Sequence, residues 1–338
     1  MPILMAENLL ETLPYTDSVM RPTYKMLKAL AVFILVCSQA FGQELTLPTF
    51  TQYLADNPFV IAPTYAGIGD HVKVRMNGLT QWVGIKDAPD TQSIAADVRI
   101  GNRSGVGALF FNDRNGNTRQ YGGRISFAHH LTIDPYEDHF LSLGVSYNFN
   151  QFRIDIENFD PTIPDPSVTN NRASTNHNFD VGVLYRLRGF YISLNASNIL
   201  DKQLDIFAIN EPNRLRNYYL YTGYKWRKNS RSNFEFEPSV FFQLFESDGR
   251  SSTDVNVKLR WYDFEDYFWI GASYRFLNDQ FGDPLNVGPM AGMKKSSFYF
   301  AYSYQLVLNE LSGFNTGTHM LTIGIDLFQG ISNCRCTY

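Results

Sequence analysis

From Leu141 to Asn150 the sequence alternates strictly, with Leu141, Leu143, Val145, Tyr147 and Phe149 interleaved by Ser142, Gly144, Ser146, Asn148 and Asn150. Successive side chains of a strand point to opposite faces, so this segment has one apolar face and one polar face. The same split recurs. Val181, Val183, Tyr185 and Leu187 oppose Gly182, Leu184, Arg186 and Arg188; Val255, Val257, Leu259 and Trp261 oppose Asp254, Asn256, Lys258 and Arg260. Near the end, Leu321, Ile323, Ile325 and Leu327 oppose Met320, Thr322, Gly324 and Asp326. Similar segments occupy 71–78, 92–100, 104–112, 119–131, 190–198, 217–227, 234–245, 266–276, 282–292 and 297–307. The total is about fourteen, and most are about ten residues long, the length a tilted strand needs to cross a bilayer.

A soluble sandwich also alternates, so the connections must discriminate. After Gln43 no run of 18 apolar residues occurs, which excludes spanning helices. Links after even-numbered strands are short, such as 101–103, 188–189 and 262–265; links after odd-numbered strands include the longest, 79–90, 153–176 and 200–216. Short turns on one side and long loops on the other are the outer-membrane pattern, with both termini periplasmic. The expected fold is therefore all-β, a transmembrane antiparallel β-barrel of about 14 strands, spanning 71–328.

Composition agrees. Aromatic residues are 15% of the chain and charged residues only 18%, below the roughly 25% of ordinary globular domains. Mean hydropathy is nevertheless −0.23, as expected when one face is apolar and the other polar. Apolar rows end in Tyr147, Tyr185, Trp226, Trp261, Tyr274 and Tyr304, rings suited to the headgroup boundary. The polar rows carry Arg186, Arg188, Lys225, Glu235, Glu237, Lys258, Arg260, Arg275 and Asp326. Of these, Arg186, Arg188, Lys258, Arg260 and Arg275 are expected to face an aqueous lumen, because Arg or Lys at the lipid midplane costs roughly 2–4 kcal/mol.

At the N-terminus, Lys28 precedes an apolar run from Ala29 to Val36 and a small-x-small site, Ala40-Phe41-Gly42. This pattern predicts a signal peptide at 26–42, starting at Met26 and cleaved before Gln43, with 1–25 expected to be an upstream extension. A lipoprotein reading through Cys37 is weaker, since Val36 stands where a small residue is wanted. Removing 1–42 takes away three basic and three acidic residues and leaves the net charge at −4. No basic field points to nucleic acid. Cys334 and Cys336 lie too close in sequence for an unstrained disulfide and are too few for a metal site; they fall in a tail, 329–338.

Several landmarks, taken together in order and spacing, resemble the PorP/SprF family of type IX secretion system membrane proteins over nearly all of the mature chain. Asn57-Pro58 with Ala62-Pro63-Thr64-Tyr65-Ala66-Gly67 is similar to the family's Asn-Pro-Ala-Tyr-Ala-Gly signature. Gln81-Trp82-Val83-Gly84 is similar to its Gln-Trp-Pro-Gly after the first strand. Asn112-Asp113-Arg114-Asn115-Gly116, Glu237-Pro238-Ser239, Phe268-Trp269-Ile270-Gly271 and Gly317-Thr318-His319 extend the likeness. Departures are Val83 for Pro, Gly78-Leu79 for Tyr-Arg, Thr64 for Ala and His129 for Tyr. The resemblance implies a barrel of the cell outer membrane in Bacteroidetes-type bacteria. It would act in secretion or surface display, with a secreted adhesin or other type IX components as protein partners and outer-membrane lipid around it. Some members serve gliding motility.

No catalytic, cofactor or metal constellation stands out. Asp113-x-Asn115-x-Asn117 has calcium-like spacing but lacks the sixth-position Gly, and Asn-Gly between strands signals a hairpin. His129 and His130 point to opposite faces and cannot share a metal. His130 lies about 13 Å along its strand from Ser126, which leaves only a nucleophile from another strand. The segment 43–70 lacks alternation and contains Pro48, Pro58 and Pro63; it is expected to plug the lumen in part or to dock a partner. The loop 153–176, with Pro161, Pro164 and Pro166, is either a binding loop or a plain surface loop. The expected function is a non-enzymatic outer-membrane component of type IX secretion; the alternative is a porin or small-molecule transporter.

Overall fold

The computed structural model describes residues 56–154, 172–201, 215–229, 232–280, 284–308 and 310–328. The segments expected to be an upstream extension (1–25) and a signal peptide (26–42), most of the expected loop 153–176 and the expected tail with Cys334 and Cys336 lie outside these residues. Fourteen strands run in chain order: β1 (Val72–Thr80), β2 (Asp90–Arg99), β3 (Ser104–Asn115), β4 (Thr118–Asp134), β5 (His139–Ile154), β6 (Arg172–Leu187) and β7 (Phe190–Ser197). They continue as β8 (Asn217–Tyr224), β9 (Phe234–Phe245), β10 (Ser251–Asp263), β11 (Asp266–Leu277), β12 (Pro284–Lys295), β13 (Phe298–Val307) and β14 (Thr318–Leu327). Each pairs with its sequence neighbours, and β1 pairs antiparallel with β14, so the sheet closes on itself. Closure removes every sheet edge, which lipid could not hydrogen-bond.

Burial is inverted relative to a soluble protein. On β5, Leu143 and Val145 are 45% and 43% exposed, whereas Ser142 and Ser146 beside them are at 0% and 1%. Val181 and Val183 on β6, Val255 and Trp261 on β10, and Leu321 and Ile323 on β14 are likewise exposed. Their polar-row neighbours Asp180, Asp254, Asn256, Thr322 and Asp326 are buried. The apolar rows form the outer wall, and the polar rows turn inward.

The links follow the expected parity with two exceptions. The β3–β4 hairpin turns on only Gly116-Asn117, with Gly116 at φ +60°, although it is an odd-numbered link. The β8–β9 link, an even one, is long because β8 ends at Tyr224; Trp226 only bridges to Phe236. Strands β5 and β6 continue past the apolar belt to Ile154 and from Arg172, so the segment 153–176 expected as loop is paired strand at its ends.

Candidate functional site

The inward polar rows are matched in charge. Arg275 forks onto Asp254 at 2.5 and 2.7 Å. Across the β1–β14 seam Arg75 pairs with Asp326 at 2.7 Å, and Thr322 donates to Asn77 at 2.8 Å. Lys258, Arg260 and Arg275 face the lumen and are buried; the guanidinium of Arg186 lies 4.9 Å over the Phe140 ring. Arg188 does not face the lumen. It sits in the two-residue turn between β6 and β7 at φ +49°, 68% exposed and paired with Glu137. Alternation places it on the polar face, but the strand ends at Leu187 and the chain reverses there. Lys225, one residue past β8, is exposed for the same reason.

The interior is not simply aqueous. Residues 56–66 fold into two consecutive 3-10 turns, Pro58–Val60 and Pro63–Tyr65, each begun by a proline whose missing N–H costs a first turn nothing. Phe59, Val60, Ile61, Ala62, Thr64 and Ala66 are all buried against inward-facing side chains. Phe59 and Ala66 pack with Ala95, Leu109 and Ala128; Ile61 and Ala62 join Leu184, Tyr219, Tyr221, Phe241 and Trp269. Small residues in the wall make the room. A Cβ on Gly144 would lie 2.6 Å from the Thr64 nitrogen, and one on Gly105 would overlap the Ala66 carbonyl.

Polar contacts fix this segment at several points. Asp56 Oδ1 accepts from Lys258 Nζ and Arg260 Nη2, both at 2.6 Å, and its Oδ2 accepts from the Tyr267 hydroxyl at 2.9 Å. Lys258 and Arg260 also meet Glu237 and Glu235, at 3.6 and 2.6 Å. Burial opposes ionisation of Asp56, but Arg260 and Lys258 outweigh it and hold the carboxyl well below the usual range. Arg124 donates to the carbonyls of Phe59 and Val60, at 2.5 and 3.0 Å. His130, fully buried, contacts the Ala66 carbonyl through Nε2 at 3.0 Å and Ser142 Oγ through Nδ1 at 2.8 Å. Asp97 accepts from the Gly67 N–H at 2.9 Å. Lys258, Arg260 and Tyr267 lie toward the short-turn ends of their strands, as does the start of β1. The segment therefore occupies the periplasmic part of the lumen.

The family-signature positions fall into two groups. Asn57, Pro58, Tyr65, Ala66 and Gly67 belong to the lumen segment, and Gly67 adopts φ +73° against the Gly105 backbone. Trp269 lies beneath it, donating to the Tyr299 hydroxyl at 3.2 Å with Lys258 Nζ 5.3 Å over its ring; Ser239 is buried on the same inner wall. Gln81, Trp82 and Gly84 lie in the first long loop, where Val83 exchanges backbone hydrogen bonds with Gly317 and Thr316. Pro238 faces outward on β9, paired with Val257, and Gly271 is an inter-strand contact on β11.

Asp56, Arg124 and His130 are anchors that alternation alone does not single out. Asp56 directly precedes the Asn57-Pro58 landmark, and Arg124 follows two glycines on a lumen-parity position, so both leave a signal in the sequence.

A closed antiparallel barrel with an apolar outer wall and paired charges inside is an integral outer-membrane protein. The chain belongs to the PorP/SprF family: the family model described as type IX secretion system membrane protein PorP/SprF matches residues 42–325. It is thus a membrane protein of that secretion system, located in the outer membrane, with membrane and secretion-system partners. A search of curated proteins finds no match. Among solved structures, the chain is similar to the CymD monoaromatic hydrocarbon channel, with 11% identity, TM-score 0.49 and coverage of 82% of this chain and 94% of that one. It is also similar to Omp33 of Acinetobacter baumannii, at 11% identity, TM-score 0.45, and 78% and 100% coverage.

Proposed function

We propose that this barrel is a non-enzymatic component that assists secretion or surface display of a partner protein such as an adhesin, and is not a diffusion pore. The carrying observation is the lumen segment: residues 56–66 fill the periplasmic part of the interior and are held by buried ion pairs and hydrogen bonds from β4, β10 and β11. A diffusion channel needs a continuous aqueous path, which such a filling works against. The non-enzymatic reading is supported by the Ser142–His130 pair. It lies under Ala66, with both ring nitrogens engaged and no approach for a substrate.

The test is crosslinking in native membranes followed by purification of the tagged full-length protein. Recovery of an exported adhesin or secretion subunits, together with loss of surface display on gene deletion, is the expected result. Steady conductance of a small solute in planar bilayers, with no protein partner recovered, would overturn it in favour of a porin.

A further inference from the structure

The inner wall holds the lumen segment largely by its main chain. Arg124 donates to the Phe59 and Val60 carbonyls, and His130 meets that of Ala66. Lys73 Nζ donates to the Ile68 carbonyl at 2.6 Å, and Arg99 Nη2 to that of Gly69 at 2.8 Å. Asp97 takes the Gly67 N–H. Any peptide carries such carbonyls, so these contacts recognise the path of a chain and not its sequence. The ion pairs to the segment are made by two carboxylates: Asp56, held by Lys258 and Arg260, and Asp70, paired with Arg99 at 2.9 Å.

The occupant fits this cradle imperfectly. Asn57 Nδ2 and Thr64 Oγ1 are buried without a hydrogen-bond partner, in residues only 4% and 0% exposed. A polar group buried in that way counts against the docked state. Asp56 itself holds φ +54°, in the left-handed region that disfavours residues other than glycine. A cavity also remains between the segment at Asn57 and Phe59 and the wall at Lys73, Asp97 and Arg75, whose Nε lacks a partner as well. A wall built for this segment alone would match its polar side chains and close that space. This one serves the main chain and one well-placed carboxylate.

We propose that the cradle is a peptide-binding site, held in cis by residues 56–69, which exchanges this occupant for a segment of a periplasmic protein. The incoming segment carries a carboxylate at the place of Asp56, because Lys258 and Arg260 are left in excess over Glu235 and Glu237 without one. Behind it the chain presents small or apolar residues, since Gly105 and Gly144 leave room only for a close main chain at Ala66 and Thr64. As the place where a secreted partner enters, the cradle rests on the secretion reading above; as a peptide site it is testable without knowing the partner.

The probe is a fluorescein-labelled synthetic peptide of residues 56–69, added to the tagged full-length protein in detergent micelles, with binding read by anisotropy. Wild type should bind it weakly, because its own segment competes at high effective concentration. D56N weakens that competitor and should bind the same peptide on the order of tenfold or more tighter. A peptide with Asn in place of Asp56 should lose this gain. A peptide carrying T64V should bind on the order of tenfold tighter than the native sequence, since the wall offers the hydroxyl no partner. In wild type at saturating peptide, the amides of Val60, Ile61 and Ala62 should exchange faster as the segment is displaced, a readout that stands even where D56N does not fold. Absence of binding to every form, equal affinity of wild type and folded D56N, equal affinity of the Asp and Asn peptides, or bound peptide with unchanged exchange of the segment would each overturn the site. Recovery of a partner from native membranes alongside any of those results would leave the secretion reading standing and remove only the exchange.

Discussion

Replacing Asp56 by Asn tests whether the lumen segment is held by charge or merely fits the space. The carboxylate balances a cluster in which Lys258, Arg260 and Arg227 face Glu235 and Glu237. With Asp56 ionised, three cations meet three anions; with a neutral amide in its place, one positive charge is left over in a buried setting. Removing one partner of a buried ion pair costs about 3–5 kcal/mol. Each factor of ten in population corresponds to about 1.4 kcal/mol, so the undocked state should rise by on the order of a hundredfold or more. Hydrogen exchange at the amides of Val60, Ile61, Ala62 and Ala66 reads this directly, with the β5 strand amides as internal control. Faster exchange confined to the segment is expected, and D56N with K258M should recover part of the loss. Because the folded-state pKa of Asp56 is depressed, its contribution is present above the unfolded value of about 3.9 and is lost only as pH falls through the lower folded value. Lowering the pH from about 7 to about 5 should therefore leave exchange of the segment unchanged. Exchange in D56N that matches wild type would refute the reasoning outright.

Three further outcomes follow from the same geometry. G144L should expel the segment without opening the wall, since its side chain would occupy the space of Thr64; proteolytic clipping between residues 56 and 66 checks it. R75L should weaken the seam by less than the ~3–5 kcal/mol of a wholly unpaired buried charge, because Lys294 still meets Asp326 at 3.3 Å, whereas D326L, which removes the partner of both cations, should cost more; the loss of heat-modifiable migration in each variant measures this, and equal loss in the two would refute the ordering. V145R, at mid-height of the outward β5 row, should cost about 2–4 kcal/mol and impair assembly. Urea unfolding in lipid vesicles gives the value, and near-wild-type stability would mean that this face does not meet lipid.

Alternation made the wall legible in detail. The strand near Leu141–Asn150 is apolar outside and polar inside, as the period-two split requires, and the even strand count with unequal loops agrees with the closed topology. What alternation could not reveal was where strands stop, since parity continues on paper through a turn. That is why Arg188 and Lys225 left the lumen. Nor could it reveal that Leu184, Tyr219, Tyr221, Phe241 and Trp269 would pack together inside. An apolar side chain on an inward row is an exception to the pattern, explained only by a second body within the barrel, and the lumen segment has no periodicity with which to announce itself.

The residues on which the family likeness rests are largely not those that build the wall. Asn57, Pro58, Tyr65, Ala66 and Gly67 shape the lumen segment, and Trp269 lies under the cation that anchors it. Gln81, Trp82 and Gly84 belong to the loop whose Val83 bonds to the chain just before β14, tying the two ends of the sheet together above the seam. A binary pattern specifies a strand and its faces, but it does not specify which strands meet at the closure or what enters the cavity, because many sequences satisfy it equally. Those two choices need residues with particular shapes: a left-handed glycine, a paired proline, an indole of fixed size. Substitution of wall positions within their polar or apolar class should therefore be tolerated far better than substitution of Gly67 or Trp269. Export-competent variants recovered from a randomised Leu143–Val145 segment, set against none from a randomised Tyr65–Gly67, would show that ordering; equal tolerance would show that the segment is filler.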